Sequence, residues 1–86
     1  MNYNACEIIL ENKNTIWMHI SFREEDGDWT KYKNMGKRIN SHFSDYCPYV
    51  SPDGKYFFFT SRRTGADDIY WVDAIVIEEL RPEHLK

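Results

Sequence analysis

The densest group of reactive side chains in this sequence is His42, Asp45 and Cys47. An imidazole, a carboxylate and a thiol are the types that build a nucleophile with its base. Such partners normally meet through the fold rather than within six consecutive residues. The spacing, with Pro48 directly after Cys47, points instead to a packed thiol in a strand beside a polar loop. Ser51 and Asp53 read as groups that close a turn on their own backbone. Asp26 and Asp28 flank Gly27, and Asp67 and Asp68 follow Gly65. A calcium loop of the EF-hand type also needs a distal Glu at fixed spacing, and Lys33 stands where it should be. His19, His42 and His84 are widely separated and receive no ligand role. Cys6 and Cys47 lie 41 positions apart with no Cys-x-x-Cys, which reads as two free buried thiols. No catalytic residue, metal site or cofactor is expected. Two recognition elements remain. Arg62 and Arg63, with Asp67 and Asp68 in the same loop, form the expected rim for a partner, the paired arginines being suited to a carboxylate. Trp29 and Trp71, with Trp17 and Tyr49, are the candidates for an aromatic platform that could stack on sugar or peptide.

The elements that must position these residues fit one small domain. The chain has 86 residues, 42% of them hydrophobic, 16% aromatic and 29% charged. Its 11 basic and 14 acidic residues give a net charge of -3, so no strong positive field exists to draw in nucleic acid. Apolar runs such as Phe57-Phe58-Phe59 fall far short of the roughly 18 residues of a membrane-spanning helix. The start, Met1-Asn2-Tyr3-Asn4-Ala5-Cys6-Glu7, lacks the features of a signal peptide, and the compartment stays open. Three Trp, six Tyr and five Phe are many rings to hide in so short a chain. Some of them are expected to be covered by another copy, by flanking sequence or by a ligand.

Periodicity favours strands almost throughout. Ile16, Met18, Ile20 and Phe22 alternate with Thr15, Trp17, His19 and Ser21, the signature of a half-buried strand. Residues 6–10 form the preceding strand, joined by the polar turn Glu11-Asn12-Lys13-Asn14 into a hairpin. Asp26-Gly27 supplies a tight turn, and residues 29–32 make a short third strand. The aperiodic stretch 33–44 reads as a crossover to a second sheet. Strands at 46–50, 55–61 and 69–72 follow, with Ser51-Pro52-Asp53-Gly54 as the turn between the first two. Rings on both sides of 56–59 require cover on both faces. For 74–80 an outer strand and one to two helical turns, capped by Asp73, both remain open, and Pro82 ends either.

Overlaying Ile16-Trp17-Met18 on Ile69-Tyr70-Trp71, 53 residues apart, gives a period that matches one four-stranded propeller blade. The run from Tyr46 to Arg62, with Ser51-Pro52-Asp53-Gly54, the strand Tyr56-Phe57-Phe58-Phe59, Ser61-Arg62, Gly65 and Asp68-Ile69-Tyr70, resembles the WD40-like PD40 β-propeller repeat of the TolB type. Trp29, Asn34-Met35-Gly36 and Ile39-Asn40-Ser41 look like the crossover that precedes this repeat in bacterial members. The resemblance covers residues 29–73 and implies an extracytoplasmic setting in many relatives.

The resulting expectation is an all-β chain of about two four-stranded antiparallel β-propeller blades, a first, incomplete blade at 1–33, a crossover at 34–45 and a second blade at 46–81. Its expected function is non-catalytic binding of protein or ligand, with itself as first partner. Three two-blade chains would close a six-bladed ring, or the chain is part of a longer propeller. The alternatives are an accessory domain of a propeller-containing hydrolase and a carbohydrate-recognition module.

Overall fold

The structure, a computed structural model, describes residues 6–12 and 16–86. The described residues are mostly β, with six strands in two antiparallel three-stranded sheets and one short α-helix. In the first sheet β1 (Cys6–Asn12) pairs with β2 (Ile16–Phe22), and β2 pairs with the two-residue β3 (Lys33–Asn34). The hairpin β1–β2 is present, but Glu11 and Asn12, expected in its turn, pair with Trp17 and Ile16 as part of β1; residues 13–15 and 1–5 lie outside the described residues. In the second sheet β4 (Asp45–Val50), β5 (Tyr56–Ser61) and β6 (Asp68–Asp73) follow one another as a meander.

Three differences from the sequence reading have physical causes. Among the described residues each sheet has three strands, not four. The overlay of 16–18 on 69–71 equates β2 with β6, but β2 is the central strand of its sheet and β6 an edge strand, so the positional counterpart of β2 is β5. Residues 29–32 do follow the end of β2, yet the side chain of Thr30 interrupts regular pairing. Thr30 Oγ1 accepts the Phe22 N–H at 2.9 Å, and Ser21 Oγ donates to the Thr30 carbonyl at 2.6 Å. Regular pairing resumes only at β3.

The inward faces of the two sheets share one core. Met18, Ile20 and Phe22 of β2 meet Phe57 and Phe59 of β5, with Met35 and Ile39 from the crossover. The open side is closed by α1 (Ile75–Leu80), which settles the ambiguous tail as helix. Asp73 accepts the Ile75 N–H at 2.9 Å, and Val76 and Ile77 enter the core. β-branched residues are poor helix formers, so burial of these two, rather than propensity, holds six residues in helix. Arg81 lies over the Phe22 ring, and Pro82 leads into α2, a 3₁₀ turn at Glu83–Leu85. No helix among the described residues is long and apolar enough to cross a membrane.

Candidate functional site

The second sheet carries a row of rings on its outer face. Strand alternation sends Phe57 and Phe59 inward, so Tyr56 and Phe58 must point out. Phe58 sits opposite Trp71 on one side and Tyr49 on the other, which lines up Tyr49, Phe58 and Trp71 across three strands. Trp71 is 60% exposed, Tyr49 57% and Ile69 of the same face 76%. The expectation that rings on β5 are covered on both sides therefore holds on the core side only.

Tyr49 reaches this row through a β-bulge. Tyr46 pairs with Thr60 and Tyr49 with Phe58, so Cys47 and Pro48 together oppose the single residue Phe59. Cys47 takes φ 55°, a left-handed conformation that costs an L-residue roughly 1–2 kcal/mol. Pro48 has no N–H to give the ladder, which suits it to a bulge. Without the extra residue Tyr46 and Tyr49, three apart, would face opposite ways; with it both point outward, and Asp45 and Val50 both point inward. Cys47 is exposed, not the buried thiol expected, because the bulge turns it out of the sheet. The side chain of Cys6 lies outside the described residues.

Inside the sheet, Asp45 is fully buried and organises the chain around it. It accepts the Ser41 N–H at 2.6 Å, the Ser41 hydroxyl at 3.0 Å and the Ser61 hydroxyl at 2.6 Å. Arg63 Nη2 completes the set at 3.3 Å and also donates to the Ile39 carbonyl at 2.7 Å. Its guanidinium covers the rings of Phe59 and Tyr70, centroids at 5.3 and 4.8 Å. Arg63 is thus a strut between crossover and second sheet. Arg62 points elsewhere, its guanidinium 3.9 Å from Asp67, so the two arginines do not form one fork. The two arginines open the turn that the Gly65 N–H closes on the Arg62 carbonyl at 2.8 Å, and the chain reverses between them and β6, which is why adjacency in sequence misleads here. Asp67 also accepts the Tyr46 hydroxyl, a hydrogen bond that holds that phenol above its ordinary value of 10.0. Asp68 accepts from Thr64 Oγ1 at 3.4 Å. The rim residues Arg62, Asp67 and Asp68 are exposed, while Arg63 is half-buried and turned inward.

The two platform tryptophans belong to different places. Trp29 bridges to Arg23, whose guanidinium lies 6.0 Å from its ring, beyond the end of β2. Trp71 packs its ring edge-on against Tyr56, with 87° between planes. His42 and Cys47 are exposed while Asp45 is buried under the sheet, so the three do not converge. Ser51 and Asp53 close the turn before β5. Ser51 Oγ donates to Asp53 at 2.6 Å and accepts the Tyr56 N–H, and the Lys55 N–H reaches Asp53 at 3.0 Å. The Ser51 hydroxyl, and after it the Lys55 amide, holds Asp53 below its ordinary 3.8. Among the described residues no three His, Cys, Asp or Glu side chains gather as a cation site.

Comparison with known proteins gives no match to a family model, to a curated sequence or to a solved structure. Sequence reasoning overlooked Tyr56, Phe58 and Ile69 as surface residues. The signal was there in three consecutive phenylalanines, since one of any three must face away from a single core.

Proposed function

We propose that the chain is a non-catalytic binding module of the propeller-blade kind whose second sheet docks, through its outer aromatic face, against another sheet, first of all that of a second copy. The observation that carries this reading is the row Tyr49, Phe58 and Trp71 with Tyr56 and Ile69 beside it, in which Phe58 is half-buried and the other four are exposed. From their exposures, these side chains leave on the order of 500 Å² of apolar area in water, within the size of the largest patches on monomers, which often mark interfaces. Covered on both partners, that gives about 1,000 Å², the lower bound for a specific interface.

The ring geometry favours protein over sugar. A flat platform that runs under several sugar units needs coplanar rings, whereas Tyr56 and Trp71 stand at 87° and Tyr49 and Phe58 at 43°. Edge-on rings leave clefts into which another sheet's side chains can interdigitate. Sedimentation velocity tests the reading. The chain should associate at about micromolar to tens of micromolar concentration, and Trp71→Asp with Tyr49→Asp should return it to monomer with its far-ultraviolet spectrum unchanged. A wild-type monomer at about 100 µM would overturn it.

A further inference from the structure

A second surface feature has different chemistry. Along the crossover, residues 34–43, lies a cleft of about 550 Å³ whose lining also includes Trp17 of β2 and Arg63 of the loop after β5. That volume falls in the range of about 300–1,000 Å³ usual for small-molecule pockets. Its walls are fixed by hydrogen bonds within the chain. Trp17 Nε1 donates to the Ser41 carbonyl at 2.9 Å, which sets the plane of the indole. Asn40 mimics a strand, accepting the Met18 N–H and donating to the Met18 carbonyl, both at 2.8 Å. Arg63 ties the far wall to Ile39.

The lining is aromatic and cationic. Trp17 is 39% exposed and Phe43 54%, so both rings offer surface to an occupant. The charged residues lining the cleft are Lys37 and Arg63, and no carboxylate lines it, although acids outnumber bases in the chain. Buried Asp45 offsets the charge of Arg63, and Lys37 has no ion pair among the described residues, which leaves a surplus of one positive charge. The Arg63 hydrogen bonds to Ser61, Ile39 and Asp45 run through Nε and Nη2, and none uses Nη1.

From these observations we infer that the cleft binds a small planar aromatic monocarboxylate, its ring against Trp17 and Phe43 and its carboxylate at Lys37 and Arg63 Nη1. A preformed wall lowers the ordering cost of binding, and the fixed indole gives the ring a defined surface. This site is separate from the outer face of β4–β6, so either can fail without the other.

The test is an amide-resolved NMR titration of the full chain with 2-naphthoate, run beside its neutral amide and beside acetate. Saturable shifts are expected at Gly36, Lys37, Ser41, His42, Phe43 and the Trp17 indole N–H. The neutral amide and acetate should each bind about tenfold more weakly, since one lacks the charge and the other the ring. Lys37→Glu and Phe43→Ser, both at exposed positions, should each weaken 2-naphthoate about tenfold while the remaining spectrum stays in place. Shifts centred on Tyr49, Phe58 and Trp71, equal binding of the neutral amide, or no saturation by about 10 mM would overturn the inference.

Discussion

Asp45→Ala is the sharpest perturbation the structure offers. The carboxylate is fully buried and accepts from one backbone N–H, two hydroxyls and one guanidinium. Its removal leaves the Ser41 N–H and the Ser41 and Ser61 hydroxyls without that acceptor, and Arg63 half-buried without its counter-charge. Breaking a buried pair from one side costs about 3–5 kcal/mol, because the remaining groups stay desolvated. A domain of 86 residues has a total stability of about 4–13 kcal/mol, so this is a large share. With a urea m-value of about 1 kcal/mol per molar for so small a domain, the unfolding midpoint should fall by about 3–5 M. Asp45→Asn keeps one acceptor oxygen but sets an amide NH₂ against donors, and should cost about 2 kcal/mol. In a cycle with Arg63→Ala the two substitutions should be non-additive by about 1–3 kcal/mol, as Arg63 loses part of its role once Asp45 is gone. A loss under about 1 kcal/mol for Asp45→Ala, or strict additivity with Arg63→Ala, would refute the view that this carboxylate joins crossover to sheet.

The bulge and the β4–β5 turn make separate predictions. Cys47→Gly, which removes the roughly 1–2 kcal/mol that an L-residue carries at φ 55°, should be neutral or stabilising in urea melts, while Cys47→Val, β-branched, should lower stability below that of the wild type. Asp53 is held below 3.8, so its contribution is complete above that pH and is lost as pH falls through its lower folded value. A carbon-detected titration of the Asp53 carboxyl should place its midpoint under 3.8, and Ser51→Ala should move it back up, since the Ser51 hydroxyl is the main cause.

Much of the local structure was legible in the order of residues. The alternation around Met18, Ile20 and Phe22 specifies β2 and its buried face, because side chains in extended chain alternate whatever the rest of the molecule does. Ser51-Pro52-Asp53-Gly54 specifies its turn because the bonds that close it form within six residues. The same locality explains why Pro82 ends α1.

What depended on tertiary structure is the set of choices in which two distant segments compete. Whether 75–80 becomes strand or helix follows from a core that accepts Val76 and Ile77, not from their propensities. The direction of Arg63 follows from Asp45, Ile39 and the rings of Phe59 and Tyr70, none adjacent to it in sequence. The bulge at Cys47 and Pro48 shifts the register by one residue, and a one-residue shift sends every later side chain of the strand to the other face. That shift decides that Tyr49 joins Phe58 and Trp71 on the surface. Outside residues 29–34 and 75–80, the sequence determined which segments are extended and where they turn; packing of those segments on one another decided which faces meet water.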